Sequence, residues 1–164
     1  FKKIDNLDPG NPLKLVLVGD YKDDPFFSAY PQLKSQASNL ELNEKVVFTG
    51  YIPDEDLAYL YNAATLLVFP SLEEGFGLPA IEAMACGTPV AASSTGSLPE
   101  VLGPVGRYFD PTRVEDMVSV IQELLLDEPI RKKMKADGLE RSEGFRWKRA
   151  AEDTLSIFEE LSGN

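Results

Sequence analysis

The sequence predicts an α/β fold with an open, doubly wound parallel sheet, followed by helices at the carboxyl end of the chain. Two observations support this prediction. Strand-like apolar runs alternate with helix-like segments along the first two thirds of the chain, which is typical of βαβ units. The strand-like runs are also continuously apolar, as expected for parallel strands that are covered on both faces. Such sheets bind ligands beyond the carboxyl ends of their strands.

The predicted elements follow one another in strand–helix pairs. In chain order, the pairs are residues 13–18 and 24–40, 45–49 and 54–64, and 65–69 and 78–85, and a fourth strand at 89–93 is followed by a short turn near 97–102. A fifth strand at residues 106–109 precedes three helices. Residues 127–129 (Asp-Glu-Pro) end the first of these helices and begin the second. The last helix carries an apolar stripe that includes Trp147, Leu155 and Phe158. Residues 1–4 look like the tail of a further helix.

Length and composition exclude several classes of function. A chain of 164 residues suits one domain with a sizeable core. Its net charge of −11, from 27 acidic and 16 basic residues, argues against a general surface for nucleic acids or anionic membranes. It has no histidine, so no histidine-based nucleophile, general base or zinc site is expected. The single cysteine, Cys86, excludes an internal disulfide and fits a cytoplasmic location. No apolar run approaches the ~18 residues of a membrane span.

The most informative segment is residues 69–101. A strand leads into a loop that contains Glu74 and the glycine-rich run 75–77, and Pro79 then begins a helix with Glu82 in its first turn. Glycines let the backbone approach a ligand closely, and free N–H groups at a helix amino terminus favour an anion such as phosphate. The two carboxylates would repel a phosphate, so they are better suited to accept hydrogen bonds from neutral hydroxyls. This combination indicates a nucleotide-sugar site.

That segment resembles the donor-site motif of retaining glycosyltransferase family 4, the group 1 enzymes of two-domain GT-B architecture. The match continues through residues 83–85 (Ala-Met-Ala), Gly87, residues 89–90 (Pro-Val) and Glu100. Residues 15–19, 46–52 and 145–147 are also similar to segments of the carboxyl-terminal domain of the family. The resemblance therefore covers nearly the whole chain and implies that residues 1–164 are a donor-binding domain.

The resemblance also implies a role for individual residues. Glu74 would stand at the catalytic centre and accept hydrogen bonds from the donor sugar, and Glu82 would accept them from the two ribose hydroxyls. The full set that the resemblance implies is Gly19, Tyr51, Ile52, Glu74, Gly75, Phe76, Gly77, Leu78, Pro79, Glu82, Thr95 and Gly96. Within it, the backbone of Leu78 meets the distal phosphate, and the backbone of residues 51–52 meets the nucleobase. From the residues alone, Glu74 can also be a solvated loop acid, and Glu82 a carboxylate favoured by the helix dipole.

The activity implied by the resemblance is transfer of a hexose from a nucleoside diphosphate sugar to a glycan or lipid-linked acceptor, with retention and with no metal or other cofactor. Residues 94–101 are similar to those of members that use GDP-mannose, which favours a mannosyltransferase of polysaccharide biosynthesis. The acceptor would bind to an amino-terminal domain that this chain lacks. The full-length protein is expected in the cytoplasm, with peripheral association at the inner face of the membrane.

The chain is also expected to lack the first strand–helix unit of its domain, because the Arg and Lys that hold the diphosphate in the family have no counterpart here. Alone, it is expected to be inactive. Two alternatives remain from the sequence. The chain can be a non-catalytic nucleotide-sugar-binding module, which turnover by the full-length protein would decide. A dinucleotide-dependent oxidoreductase is disfavoured, because residues 18–23 after the first strand lack the Gly-x-Gly-x-x-Gly fingerprint.

Overall fold

The chain is an α/β structure with parallel strands, as the sequence predicts. The computed structural model describes residues 1–7, 10, 12–21 and 29–163. Two compact units are present, Phe1–Leu60 and Tyr61–Asn164. The strands are β1 (Leu15–Val18), β2 (Val46–Gly50), β3 (Leu67–Phe69), β4 (Val90–Ser93) and β5 (Arg107–Phe109). The helices are α1 (Tyr30–Asn39), α2 (Asp54–Ala63), α3 (Leu78–Ala85), α4 (Leu98–Leu102), α5 (Val114–Leu126), α6 (Glu128–Ser142) and α7 (Trp147–Ser162).

The strands form two sheets rather than the single sheet that the sequence suggests. In the first unit, β1 pairs with β2 in parallel. In the second unit, β4 lies between β3 and β5, again with every pair parallel. Strand positions can be read from apolar runs, whereas the pairing of strands depends on contacts between segments that are distant in the chain. The prediction of parallel strands is confirmed, and the division into two sheets is a finding of the structure.

The first residues of the chain form turns and not the helix tail that residues 1–4 suggest. The Ile4 N–H donates to the Phe1 carbonyl at 2.8 Å, and both Ile4 and Asp5 are buried. Nζ of Lys45, next to the start of β2, contacts Oδ2 of Asp5 at 2.9 Å. This hydrogen bond lowers the pKa of Asp5, because it stabilises the ionised carboxylate. The residues that look helical in the sequence thus form a turn, and the contact between Asp5 and Lys45 joins this turn to the start of β2.

The core of the second unit lies around β4, whose four residues are all buried. Small side chains such as Ala91 and Ala92 let neighbouring elements approach the strand closely. One cluster joins Ala91 and Phe109 of the sheet to Leu124 of α5 and Met134 of α6. The two helices therefore cover the sheet through a continuous apolar contact, and this packing fixes the strands that carry the candidate site.

Most predicted elements agree with the structure to within one or two residues at each end. The helix predicted at 78–85 is found with those bounds, and α6 follows α5 after Asp127 as expected. The early part of the helix predicted at 24–40 lies outside the described residues, and α1 begins at Tyr30. The expectation that each strand is covered on both faces is wrong for β1, because Val16 and Val18 are 42% and 46% exposed. Among the described residues, no helix is long and apolar enough to cross a membrane.

Candidate functional site

The glycine-rich loop lies where the sequence places it, between the carboxyl end of β3 and the start of α3. β3 ends at Phe69, and the backbone at Gly77 has φ +91°, in the left-handed region that favours glycine. A Cβ at this position would lie 2.7 Å from Cδ2 of Leu98, so the buried side chain of Leu98 would have to shift to admit it. Gly77 thereby turns the chain into the helix, as the N-cap of α3.

The amino terminus of α3 offers one backbone donor near the loop. Pro79 has no N–H, and the Ala80 N–H donates to the Gly77 carbonyl at 3.0 Å. Among the described residues, the N–H of Leu78 has no acceptor. The donor that the sequence analysis assigned to a phosphate is therefore available.

Glu74 is held in place by two hydroxyl groups. Oγ of Ser71 donates a hydrogen bond to Oε1 of Glu74 at 2.7 Å, and Oγ of Ser97 donates to the Glu74 carbonyl at 3.0 Å. The first bond fixes the carboxylate, and the second fixes the backbone from the loop that follows β4. Glu74 is only partly buried, yet its position is determined by these contacts. It is more than a freely solvated loop acid.

The loop after β4 holds the rest of the glycine-rich loop in the same way. Ser93, which is fully buried, donates through Oγ to the Ser71 carbonyl at 2.5 Å, and Thr95 donates through Oγ1 to the Leu72 carbonyl at 2.8 Å. Gly96 has φ +62°, and a Cβ there would lie 3.1 Å from the backbone nitrogen of Glu74. Because β3 and β4 are parallel neighbours, their carboxyl-terminal loops meet at one edge of the sheet.

Glu82 lies in the second turn of α3 and not in the first turn, where the sequence analysis expects it. The helix begins at Leu78 and has no acidic residue in its first turn, so Glu82 belongs to the second turn. The favourable effect of the helix dipole declines beyond the first turn, which weakens that alternative explanation of Glu82. Its side chain is exposed, and Oε2 accepts a hydrogen bond from the Tyr61 hydroxyl at 3.1 Å.

Phe76 is exposed at the tip of the glycine-rich loop and contacts the segment before α7. The rings of Phe76 and Phe145 pack edge to face with centroids 6.0 Å apart. The guanidinium of Arg141 lies 5.8 Å from the centroid of the Phe145 ring. A Cβ at Gly75 would meet nothing within 4 Å, so the loop leaves open space beside this residue. Such space is compatible with a ligand that approaches the backbone.

The remaining predicted residues belong to the first unit. Gly19 follows β1, and its N–H donates to the Gly50 carbonyl at 3.3 Å. Tyr51 and Ile52 follow β2, and Tyr51 is 70% exposed. These residues also lie beyond the carboxyl ends of parallel strands. In the second unit, the structure brings together Glu74, Thr95 and Gly96.

Three residues of the site were not identified by sequence analysis: Tyr61, Ser71 and Ser97. Tyr61 is a buried residue of α2, and nothing in the sequence indicates that its hydroxyl has a polar partner 21 residues away. The serines look like ordinary loop residues. The spacing of hydroxyl side chains at 93, 95 and 97 could have indicated Ser97, whereas no comparable signal marks Ser71.

The titratable side chains of the candidate site are acidic. Within residues 1–7, 10, 12–21 and 29–163, no Lys or Arg forms an ion pair with Glu74 or Glu82. No group of three His, Cys, Asp or Glu side chains in that part of the chain could hold a metal ion. The arrangement offers two carboxylates that accept hydrogen bonds from hydroxyl groups, the backbone N–H of Leu78 and an open glycine loop.

Comparison with known proteins identifies relatives of the chain. The model of the family described as glycosyl transferases group 1 matches residues 1–141. O-antigen chain mannosyltransferase B of Escherichia coli is 44% identical over 114 residues, which are 70% of this chain. The chain covers only 30% of that protein, so it spans a minor part of the length of this relative.

Solved structures show the same fold. Sucrose-phosphate synthase from Thermosynechococcus elongatus superposes with a TM-score of 0.84 and 34% identity, over 92% of this chain and 39% of that one. HepE of Anabaena, solved in complex with UDP and glucose, gives a TM-score of 0.76 and 26% identity, over 92% of this chain and 41% of that one.

Proposed function

The chain belongs to the glycosyl transferases group 1 family, and we propose that it is the donor-binding part of a retaining enzyme of glycosyltransferase family 4. This enzyme transfers a hexose from a nucleoside diphosphate sugar to a glycan or lipid-linked acceptor. The observation that carries the proposal is the loop between β3 and α3. Glu74 of this loop and Glu82 of α3 accept hydrogen bonds from hydroxyl groups, and the N–H of Leu78 at the start of α3 is available for a phosphate.

In this proposal, Glu82 accepts hydrogen bonds from the two ribose hydroxyls, and Glu74 accepts them from the sugar that is transferred. Both groups are hydrogen-bonded in the structure in ways that leave further lone pairs available. The loop 75–77 lies against the sugar, and Leu78 and Pro79 form the start of the helix that points at the phosphate. Thr95 and Gly96 support the loop from the side of β4, and Gly19, Tyr51 and Ile52 contact the nucleobase.

The enzyme needs no metal ion or cofactor in this proposal. It acts by positioning the two substrates and by stabilising the charge of the leaving diphosphate. The acceptor binds to parts of the full-length protein outside this chain. The full-length protein works in the cytoplasm and associates with the inner face of the membrane, where lipid-linked acceptors are found.

The proposed sugar is mannose, and the proposed donor is GDP-mannose. The Escherichia coli relative is a mannosyltransferase, which supports the sugar, and the sequence of residues 94–101 supports the base. The Anabaena structure is a complex with UDP and glucose, which favours a different donor. Calorimetric titration with GDP-mannose, UDP-glucose and ADP-glucose distinguishes these donors, and stronger binding of UDP-glucose would overturn the assignment of GDP-mannose.

Isosteric variants test the roles of the two acids. Glu82→Gln is expected to weaken binding of the nucleoside diphosphate by about 1.5–3 kcal/mol, or about 10- to 100-fold in Kd, because hydrogen bonds to a charged acceptor are lost. Glu74→Gln is expected to leave that affinity unchanged and to lower kcat of the full-length enzyme. Glu73→Gln, an exposed acid of the same loop, is the matched control. Unchanged affinity in Glu82→Gln would contradict the ribose assignment.

A further inference from the structure

We propose that Tyr61 is a positioning residue for ribose recognition, because its hydroxyl holds the carboxylate of Glu82 in one orientation. The inference rests on the proposed function of Glu82. The geometry consists of one hydrogen bond, in which the Tyr61 hydroxyl donates to Oε2 of Glu82 at 3.1 Å. Oε1 and the second lone pair of Oε2 then remain for the two neighbouring hydroxyls of a ribose.

The carboxylate needs such a partner because Glu82 is exposed on α3. An exposed glutamate samples several rotamers, and a ligand that binds to it must reduce this freedom. A hydrogen bond from a fixed neighbour removes part of that cost before the ligand arrives. Binding groups are most effective when their own orientation is locked by surrounding contacts.

Tyr61 itself is well fixed. Only 9% of it is exposed, and its carbonyl accepts a hydrogen bond from Oγ1 of Thr88 at 2.6 Å. Thr88 is 4% exposed, and its N–H donates to the Ala83 carbonyl near the end of α3. The side chain of Tyr61 therefore contacts the middle of α3, and its backbone accepts a hydrogen bond from Thr88, three residues after the end of this helix. The phenol has little freedom to leave the carboxylate.

The protonation states suit this role. Burial of Tyr61, together with the negative charge of Glu82, raises the pKa of the phenol well above its ordinary value. Because a raised pKa keeps a phenol protonated below that value, Tyr61 is a donor throughout the neutral range. The Tyr61 hydroxyl is then the donor of this hydrogen bond, and a carboxylate oxygen of Glu82 is the acceptor.

The decisive variant is Tyr61→Phe, which keeps the ring and removes the hydroxyl. It is measured by calorimetry with two ligands, a nucleoside diphosphate and its 2′-deoxy analogue, using whichever of GDP, UDP and ADP binds the parent chain most tightly. We expect Tyr61→Phe to weaken the ribonucleotide several-fold and the deoxynucleotide much less, so that discrimination between them falls. A double variant with Glu82→Gln is expected to lose no more discrimination than Glu82→Gln alone.

Tyr108→Phe is the matched control. The Tyr108 hydroxyl donates to the Gly103 carbonyl at 2.5 Å in the same unit, and burial also raises the pKa of Tyr108. Its removal is expected to lower thermal stability without changing the preference for ribose. If Tyr61→Phe behaves in the same way, weakening both nucleotides equally or neither, the positioning role is overturned while the proposed function stands. If the parent binds none of the three nucleoside diphosphates, both proposals are overturned.

Discussion

At the scale of single residues, the candidate site depends on positions where the backbone permits no side chain. Gly77 has a positive φ, and a Cβ added at this position would lie only 2.7 Å from Cδ2 of Leu98. Two independent costs therefore oppose any substitution. Gly75, two residues earlier, has neither a positive φ nor a neighbour within 4 Å. The two glycines look alike in the sequence, but they differ in backbone conformation and in the space around the Cα atom.

Gly77→Ala is expected to lower the free energy of unfolding by about 2–4 kcal/mol, from left-handed strain and from overpacking against Leu98. Gly75→Ala is expected to change it by less than about 0.5 kcal/mol, as an exposed substitution without contacts. Urea denaturation followed by circular dichroism measures both variants. Equal losses in the two would show that the backbone at Gly77 is not constrained in this way.

The acids of the site could be predicted from the sequence, whereas the groups that orient them could not. Glu74 and Glu82 are recognisable because their spacing from a glycine loop suits one kind of ligand. Tyr61 has an apolar ring that fits the buried face of α2, and its hydroxyl finds Glu82 only through tertiary packing. Ser71 is close to Glu74 in the chain, but a loop serine can adopt many conformations. Side-chain orientation is thus a property of the folded unit.

At the scale of elements, helix boundaries follow local signals. Asp127 separates α5 from α6, and its Oδ1 accepts a hydrogen bond from the Ile130 N–H at 2.9 Å. This is an N-cap, and it explains why the Asp-Glu-Pro sequence identified the junction without knowledge of the fold. By contrast, the exposure of β1 could not be read from its apolar sequence, because burial depends on which elements cover a strand.

Asp127→Ala is expected to destabilise the chain by about 1 kcal/mol, since the first turn of α6 loses a hydrogen-bond acceptor. Asp127→Asn keeps an acceptor oxygen and is expected to retain most of the stability. Thermal unfolding of both variants at neutral pH provides the comparison. An alanine variant as stable as the asparagine variant would contradict the capping role.

The last helix of the chain differs from the others in having no buried residue. In α7, Trp147, Phe158 and Leu161 are 82%, 64% and 80% exposed, although the apolar stripe is the one that the sequence predicts. The pattern of the sequence therefore identified the helix and its apolar face correctly. The sequence pattern does not show whether an apolar face is covered, and in the part of the chain that the structure describes this face is not buried.

Phe158→Ala is expected to change the free energy of unfolding of the isolated chain by no more than about 0.5 kcal/mol, because its ring is exposed. Phe109→Ala, at a ring that is 1% exposed, is expected to cost about 3–5 kcal/mol. Chemical denaturation of the two variants tests this contrast. A large loss in Phe158→Ala would mean that α7 packs on the rest of the chain in solution.

At the scale of the whole molecule, the sequence established the class of fold and the parallel direction of the strands. It did not establish that β1 and β2 form one sheet and β3, β4 and β5 another, because no periodicity encodes strand order. Both sheets present their functional candidates beyond the carboxyl ends of their strands, Gly19 and Tyr51 in one unit and Glu74 and Gly96 in the other. The general rule for ligand sites in such sheets therefore applies to each unit separately.

The isolated chain is expected to bind a nucleoside diphosphate sugar weakly and not to catalyse transfer. It covers 30% of the length of its Escherichia coli relative, so most of such an enzyme is made by other residues. Among the described residues, no cation pairs with the two site carboxylates, and a diphosphate beside them would be repelled. The chain also contains no histidine to accept the proton that an acceptor hydroxyl must lose.

The measurement is release of the nucleoside diphosphate from GDP-mannose in the presence of an acceptor glycan, with the full-length protein as the positive control. Binding of the donor to the isolated chain, followed by calorimetry, is expected to weaken further as salt is raised, because phosphate contacts with backbone dipoles are screened. Multiple turnovers by the isolated chain would show that the reacting groups lie within these 164 residues. In that case the catalytic role would have to be assigned to the described carboxylates alone.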